Sequence, residues 1–449
     1  MSELIISVSG LRGIVGESLT PEVAARYALA FGAELPAGPI VITRDGRASG
    51  AMFAAAVSAS LAAAGRDVFD GGIAATPTNG VLVRELPAAG GIQISASHNP
   101  AEYNGLKLFS REGRVISAIA GERVLQRFRR GENPIPSSAA GNVTTLNDTT
   151  TRHLRLIEQT VDVERVRAQQ FRVLLDSNHG AGSILGRELL ERLGCTATLL
   201  GVPPDGQFEN PPEPTAENLA GVCPRVRELG AAIGFCQDPD ADRLAIIDER
   251  GQYIGEEYTL ALCVDHVLRH TPGPVVTNCS TSRMTQDLAE KYNVPFLRSS
   301  VGEANVVDAM LDHQAIIGGE GNGGAIDPRV GLVRDSFVGM ALVLDAMASR
   351  GLPLSELVAE LPHYAIYKTK VTLSRERVAA AFDSLQQQFA DAIPDRLDGL
   401  RLDWPDRWLL VRASNTEPIV RIIAEAPDAA AAKGLCERAA AVLATVKPR

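Results

Sequence analysis

Short apolar runs typical of buried strands alternate along the chain with longer runs of helical periodicity. In the first part, the pattern predicts strands at residues 40–43, 68–69, 91–95 and 106–109, and a helix from Thr20 to residue 33. Thr20 is a good N-cap, Pro21 suits the first helical turn, and Glu22 favours the positive end of the helix dipole. Alternation of this kind predicts the α/β fold class.

The order of strand, polar loop, helix and strand recurs in units that begin near residues 171 and 253, which is a weak sign of internal duplication. A run at residues 366–373 alternates like an antiparallel strand and opens a fourth unit. Residues 131–147 are rich in Gly, Pro, Ser and Asn and have little periodicity, which predicts a linker after the first unit.

Composition narrows the classes of function. The chain has 449 residues and a net charge of −10, which argues against a general binder of nucleic acid or anionic membranes. The negative net charge does not exclude a small anionic substrate, because binding such a substrate needs only a local cluster of arginines. The six cysteines form no CxxC pair, and neither a secretory signal nor a membrane-spanning run is visible, so we expect a reduced, cytoplasmic protein.

Three acidic residues, Asp238, Asp240 and Asp242, give the strongest chemical signal. Alternate residues of an extended segment point the same way, so the carboxylates converge and need a cation, for which hard oxygen ligands favour Mg²⁺ or Ca²⁺. A calcium helix-loop-helix is disfavoured because Arg243 stands where that loop needs glycine and the flanks read as strands. A solvated acidic loop is the alternative to a Mg²⁺ site.

A small polar loop at residues 95–100, Ser-Ala-Ser-His-Asn-Pro, follows a predicted buried strand. Ser97 is a nucleophile if a base or metal activates its hydroxyl, although the loop lacks the GxSxG form of hydrolases. Lys107 lies on the next predicted strand, which leads back past the same loop, so its side chain is a candidate for the same site. A capped turn with no chemistry is the alternative interpretation.

Three further segments are ambiguous on their own. Arg12 lies between two glycines, which is also the composition of an ordinary turn. Glu320 and Asn322, in a glycine-rich loop at residues 318–324, suit sugar hydroxyls, a phosphate cradle or a plain turn. The loop at residues 412–418, with Arg421 beyond it, offers a phosphate site or a polar hairpin.

Together, these segments resemble in order and rough spacing the α-D-phosphohexomutase superfamily, which includes phosphoglucosamine mutases, phosphomannomutases and phosphoglucomutases. The resemblance covers essentially the whole chain. It implies three related α/β domains of mixed sheets and a smaller C-terminal α+β domain around a central cleft. The domains would be residues 1–143 with the phosphoserine loop, 144–249 with the metal loop, 250–363 with the sugar-binding loop, and 364–449 with the phosphate-binding loop.

The resemblance also implies residue roles. Ser97 would carry the transferable phosphoryl group and, with Asp238, Asp240 and Asp242, hold one Mg²⁺ per chain. Arg12, His98 and Lys107 would surround the reacting groups as catalytic residues. The implied substrate-binding residues are Arg243, Gly302, Glu320, Asn322, Arg412, Ser414, Asn415, Thr416 and Arg421. Many bacterial members carry Ser and His where this chain has Asn322 and Gly324, so this chain places more weight on His98 and Lys107 for proton transfer. Lys107 is the preferred base, because we expect an ammonium beside arginines and Mg²⁺ to have a lowered pKa.

The implied activity is an intramolecular phosphotransfer that interconverts hexose 6-phosphate and hexose 1-phosphate through a phosphoserine and a bisphosphorylated intermediate, with hexose 1,6-bisphosphate as activator. Phosphoglucosamine mutase is our leading interpretation, with phosphomannomutase and phosphoglucomutase as alternatives. Alternatives from other classes are a sugar-phosphate phosphatase and a non-catalytic sugar-phosphate binder. The expected partner is a small hexose phosphate, not nucleic acid or membrane, and a homodimer is one option for assembly.

Overall fold

The computed structural model describes residues 4–7, 10–132, 139–414 and 418–445, and it contains four sheets that follow one another along the chain. Three sheets mix parallel and antiparallel pairs, and the fourth is antiparallel, so the predicted α/β class is confirmed. In the described part of the chain, no helix is long and apolar enough to cross a membrane.

The first sheet has seven strands in the order β1-β2-β6-β5-β3-β4-β7. Its strands are β1 Ile5–Ser7, β2 Gly10–Ile14, β3 Ile40–Arg44, β4 Val68–Ile73, β5 Gly90–Ile94, β6 Tyr103–Ser110 and β7 Val143–Thr145. Its helices are α1 Pro21–Glu34, α2 Gly50–Ala63, α3 Thr76–Glu85 and α4 Ala118–Arg130. As predicted, the Thr20 side chain caps α1 by accepting a hydrogen bond from the Val23 amide.

The second and third sheets have four strands each. The second, ordered β11-β10-β8-β9, comprises β8 Arg172–Asp176, β9 Thr196–Leu200, β10 Ile233–Gln237 and β11 Leu244–Asp248, with helices α5 Thr151–Glu158, α6 Val163–Gln169, α7 Gly182–Arg192 and α8 Cys223–Glu228. The third, ordered β13-β12-β14-β15, comprises β12 Val275–Asn278, β13 Phe296–Ser299, β14 Ile317–Glu320 and β15 Gly324–Ile326. Its helices are α9 Glu256–His270, α10 Met284–Lys291, α11 Glu303–Asp312, α12 Ser336–Arg350 and α13 Leu354–Ala359.

One four-strand arrangement is common to the first three sheets. In each, a first strand pairs in parallel with a second and a third strand, and the third pairs antiparallel with a fourth. The connection between the third and fourth strand therefore has the same place in each sheet. These connections are the serine loop (β5–β6), the aspartate loop (β10–β11) and the glycine-rich loop (β14–β15), so topology alone gives all three equivalent positions.

The fourth sheet is ordered β16-β20-β19-β18-β17 and is covered on one face by two helices. Its elements are β16 Ala365–Thr372, β17 Ile393–Asp395, β18 Leu400–Asp403, β19 Trp408–Ala413, β20 Ile419–Ala426, α14 Arg375–Gln388 and α15 Ala429–Thr445. The other face meets the third unit through a small cluster of Cys279, Val301, Trp408, Leu410, Ile366 and Ile423.

The second and third units share one hydrophobic core, formed by residues between Leu154 and Leu361 together with Ala75 of the first unit. Helix α12 joins them, since it follows the third sheet in the chain yet packs against α5, α6 and α7 as well as α9. Ten of its side chains are completely buried or nearly so, which fits its apolar sequence on all faces.

Two details differ from the sequence-based expectations. Val143–Thr145 pairs with β4 as an edge strand, so these residues are not a linker and the first sheet continues past the expected boundary at residue 143. The edge strand is exposed and short, which explains why it lacks an apolar pattern. Arg12 lies within strand β2, opposite Gly105, and not in a surface turn.

Candidate active site

The three equivalent loops meet in one cleft between the first three units. The Ser97 hydroxyl donates a hydrogen bond of 2.8 Å to Asp238 Oδ2, although 141 residues separate them in the chain. Arg334, which follows the third sheet, donates to Asp242 from the aspartate loop at 2.7 Å and to Glu320 from the glycine-rich loop at 2.9 Å. One connected polar network therefore joins all three loops.

Ser97 is held in an unusual backbone conformation. Its φ of +50° lies in the left-handed region, which costs free energy for a residue with a Cβ and is typical of functional loops. The Ser97 amide donates to the Ser95 hydroxyl at 2.8 Å, and that hydroxyl donates to Asp45 at 2.6 Å. The loop thus directs the Ser97 hydroxyl towards Asp238 and leaves it 2% exposed.

Arg47 holds the serine loop in place through hydrogen bonds to its backbone carbonyls. The sequence analysis did not identify this residue. Its guanidinium donates to the carbonyls of Ser97 at 2.7 Å and Asn99 at 2.6 Å, and also to those of Pro100 and Tyr103. Its Nε pairs with Asp45 at 3.0 Å, and the whole side chain is 2% exposed. A planar five-donor group suits four diverging carbonyls. The only sequence signal was its place in a polar loop after β3.

Asp238, Asp240 and Asp242 are completely buried, and one oxygen from each lies within 4.8 Å of the others. Burial and the two neighbouring carboxylates raise the pKa of Asp238 well above its usual range. The Oδ1 atoms of Asp240 and Asp242 are buried with no hydrogen-bond partner among the described residues. Three converging hard oxygens with unsatisfied lone pairs fit a divalent cation such as Mg²⁺. Ser97 Oγ lies beside the same trio.

Lys107 and Arg334 supply positive charge to this trio. Lys107 Nζ is 3.2 Å from Asp240 and 2.6 Å from Asp242. Burial by itself lowers the pKa of Lys107, but Asp240 and Asp242 outweigh burial and hold the pKa above its ordinary value. The lowered pKa that the sequence analysis expected for Lys107 beside arginines and a bound Mg²⁺ stays a prediction, and the sequence did not show that Lys107 pairs with two carboxylates.

Arg334 is the second residue that the sequence analysis missed. It is buried, and besides its bonds to Asp242 and Glu320 its amide donates to Glu303 at 2.8 Å. It follows the apolar run at residues 330–333 and belongs to no recognisable motif, so only the folded chain shows that it ties two site loops together.

Arg12 and His98 flank the serine. Arg12 Nη1 donates to Asn99 Oδ1 at 3.1 Å, and His98 Nδ1 lies 3.4 Å from Ser97 Oγ. Burial, with a further contribution from Arg243 and Arg12, lowers the pKa of His98 to about 3, so its imidazole is neutral at physiological pH. Both side chains thus lie next to the serine loop.

The glycine-rich loop presents polar groups of two kinds. The Glu320 carboxylate accepts from Asn278 at 2.7 Å, from the Gly302 amide at 3.1 Å and from Arg334, so it is fixed from three sides. Asn322 Oδ1 is buried and has no hydrogen-bond partner in the described chain. In this loop, the side-chain oxygen of Asn322 is therefore a hydrogen-bond acceptor without a donor among the described residues.

The remaining expected substrate contacts lie on both sides of the cleft. Arg243 pairs with Glu213 at 3.0 Å, and Arg412 pairs with Asp398 at 2.8 Å. Asp398 also accepts from the Val301 amide at 2.9 Å, which brings the Arg412 strand next to the Gly302 loop. Arg421 is opposite Arg412, and Ser414 ends the described part of that loop. Asn415 and Thr416 lie outside the described residues.

A buried serine hydroxyl lies beside a carboxylate trio suited to Mg²⁺, with arginines around it, and this arrangement suits an enzyme that transfers phosphoryl groups. Four family models described as phosphoglucomutase/phosphomannomutase domains match four consecutive segments of the chain. These are alpha/beta/alpha domain I at residues 4–134, domain II at 151–251, domain III at 256–364 and the C-terminal domain at 369–442. The chain therefore belongs to the α-D-phosphohexomutases, which are intramolecular phosphotransferases, as the sequence predicted.

Three relatives illustrate the similarity. A phosphoglucomutase/phosphomannomutase of Thermococcus kodakarensis is 38% identical over 432 residues, 93% of each chain. A probable phosphoglucosamine mutase of Methanopyrus kandleri is 34% identical over 95% of each chain. Among solved structures, a putative phosphomannomutase from Thermus thermophilus superposes with a TM-score of 0.84 at 25% identity, covering 99% of this chain and 100% of that one.

Proposed function

We propose that this phosphohexomutase acts through phosphorylated Ser97, with glucosamine phosphate as its preferred substrate. The observation that carries the proposal is the 2.8 Å hydrogen bond from the Ser97 hydroxyl to buried Asp238, beside two carboxylate oxygens that lack partners among the described residues. A serine in that position is adjacent to the groups that stabilise the charge of a transferring phosphoryl group.

Each half-reaction moves one phosphoryl group. The phosphorus–oxygen bond to Ser97 breaks, a new bond forms to the free hydroxyl of a hexose monophosphate, and the proton of that hydroxyl passes through a base to the Ser97 oxygen that leaves. In the second half-reaction the Ser97 hydroxyl takes the other phosphoryl group of the bisphosphorylated product, and its proton passes to the sugar oxygen that is released. Added hexose 1,6-bisphosphate would activate the enzyme by phosphorylating Ser97.

We assign Asp238, Asp240 and Asp242, with an oxygen on Ser97, to one Mg²⁺. When bound, this ion supplies Lewis-acid neutralisation of charge on the phosphoryl oxygens. Lys107 adds positive charge beside the carboxylate trio, Arg12 adds positive charge beside Asn99 of the serine loop, and His98 offers a ring nitrogen 3.4 Å from the Ser97 hydroxyl. Arg334 connects the aspartate loop and the glycine-rich loop through its ion pairs with Asp242 and Glu320.

Sugar recognition is assigned to Arg243, Gly302, Glu320 and Asn322, and the phosphate that is not transferred to Arg412, Ser414, Asn415, Thr416 and Arg421. The name of the Methanopyrus relative supports glucosamine phosphate as substrate, whereas that of the Thermococcus relative supports mannose or glucose phosphate. Asn322, whose buried oxygen accepts no hydrogen bond from the described residues, supports a donor on the sugar such as an amino or hydroxyl group.

The test compares glucosamine-, mannose- and glucose-6-phosphate by kcat/KM with Mg²⁺ and hexose 1,6-bisphosphate present. Glucosamine 6-phosphate should have the highest value, and the Ser97→Ala variant should lose turnover together with the phosphoserine detected by intact mass. Near-normal isomerisation by Ser97→Ala would exclude the phosphoserine. Stoichiometric release of inorganic phosphate without isomerisation would instead indicate a phosphatase.

A further inference from the structure

Three cationic side chains stand side by side on the fourth sheet, across three neighbouring strands. Arg412 on β19 is directly opposite Arg421 on β20, which is directly opposite Lys370 on β16. Directly opposed residues of antiparallel strands project from the same face of a sheet, and like charges in that arrangement are destabilising. We call Arg412, Arg421 and Lys370 the cationic row; its geometry calls for an anion above it.

The face that carries the cationic row is the face turned towards the third unit. Two residues along each strand, and so on the same face, are Leu410 on β19 and Ile423 on β20, which pack in the cluster with Cys279 and Val301. Val301 immediately precedes Gly302, whose amide donates to Glu320. The cationic row therefore begins beside the sugar-binding loop and faces the cleft.

The charges of the row are compensated unequally. Arg412 is paired with Asp398 at 2.8 Å. Arg421 and Lys370 are exposed, and within residues 4–414 and 418–445 as described neither forms an ion pair with an acidic group. Among the described residues these two positive charges have no acidic partner, and together they match the charge of a phosphate dianion, whereas Arg412 is already held by a carboxylate.

The neighbouring lysine on the same strand provides a contrast. Lys368 lies two residues before Lys370, and its charge acts on the carboxylates Glu256 and Glu257 of α9, whose pKa values it lowers against the effect of burial. Lys368 is therefore directed to acidic groups of the third unit, whereas none of the described acidic groups pairs with Lys370.

We propose that Lys370 is a further substrate-binding residue that, together with Arg421, holds the phosphate group that is not transferred. This inference rests on the proposed mutase function for its substrate, but the site itself is defined by the cationic row. Lys370 belongs to none of the loops through which the chain resembles its family, and its assignment comes from strand register and charge alone.

The test is the Lys370→Gln variant of the full chain, with Lys370→Arg as the rescue and Lys433→Gln as the matched control. Lys433 is an exposed lysine of α15, a helix on the opposite face of the same sheet. Loss of a charge-assisted contact to phosphate should raise KM for the hexose 6-phosphate about tenfold or more while kcat changes less than KM. Lys370→Arg should restore most of the affinity, and Lys433→Gln should behave as wild type.

A second measurement separates this proposal from the proposed function. Inorganic phosphate binding is measured by calorimetry on the unmodified chain and on Lys370→Gln, with thermal unfolding to confirm that both are folded. Weaker phosphate binding by Lys370→Gln supports the assignment even if no hexose phosphate is isomerised, in which case only the mutase proposal fails. Unchanged phosphate binding, an unchanged KM, or an equal loss in Lys433→Gln overturns the role of Lys370.

Discussion

Replacement of Arg47 by methionine tests whether the serine loop is positioned by its buried brace. The change keeps the length and apolar part of the side chain and removes the donors to the carbonyls of Ser97, Asn99, Pro100 and Tyr103. It also leaves Asp45, which is completely buried, with only the Ser95 hydroxyl and the residue 47 amide as donors among the described residues.

The magnitude follows from the buried ion pair and the lost hydrogen bonds. Removal of one partner of a buried ion pair typically costs about 3–5 kcal/mol, which is a large share of the stability of one domain. Part of this cost is relieved because Asp45 takes up a proton: burial already raises its pKa, and Arg47 is the largest opposing influence. We therefore expect a loss of about 3 kcal/mol in the free energy of unfolding at neutral pH.

Activity should fall by more than stability alone explains. Displacement of a reacting group by about 1 Å can lower the rate roughly a hundredfold, and the left-handed Ser97 is the residue that this brace fixes. We expect kcat to drop at least about a hundredfold under conditions where the variant is folded. The direction of the pH effect on stability also follows. Because the raised pKa of Asp45 makes the folded state bind more protons than the unfolded state, the variant should lose stability as pH rises, more steeply than wild type.

The assays are urea unfolding at several pH values, kcat with saturating substrate, and phosphoserine occupancy by intact mass. Arg165→Met is the matched control, because Arg165 makes a bidentate ion pair with Asp345 far from the cleft. This variant should lose stability without a proportionate loss of kcat. If Arg47→Met kept wild-type kcat while losing stability, or if both variants lost kcat equally, the positioning argument would be refuted.

Two further predictions concern charged groups. Asp240→Asn should lower turnover at least about a thousandfold and abolish Mg²⁺ binding measured by calorimetry, because it removes one ligand of the trio; wild-type Mg²⁺ affinity would contradict the site. Burial raises the pKa of Glu257 to about 8, so this raised group favours folding below the ordinary carboxyl pKa and loses that contribution as pH rises towards 8. The melting temperature should fall over that window, and Glu257→Gln should flatten the fall; an unchanged pH profile would show that Glu257 does not titrate there.

Much of the fold and part of the site could be predicted from local sequence signals. The cap of α1, the α/β alternation and the convergence of Asp238, Asp240 and Asp242 all follow from neighbours within a few residues. The class of enzyme followed from the resemblance of several loops taken together. In each case, the information lies within a short stretch of chain.

What could not be predicted depends on contacts between distant segments. Arg47 and Arg334 are ordinary arginines in sequence and become site residues only because loops 50 and 92 positions away come to them. The pairing of Lys107 with Asp240 and Asp242 was not predicted, because these two carboxylates are more than 130 residues away in the chain. The exposed edge strand Val143–Thr145 was read as a linker because one paired neighbour imposes little pattern on the sequence.

The shared core around α12 has a consequence for how the cleft opens. Because one helix packs into the second and third units together, the aspartate loop and the glycine-rich loop are anchored to one shared core. The fourth sheet, by contrast, meets the third unit through a small apolar cluster and, in the described chain, one ion pair and several hydrogen bonds. A swing of this sheet about the connection between α13 and β16 would widen the cleft without exposing the shared core, and a sugar bisphosphate could then reverse its ends while the cation site stays intact.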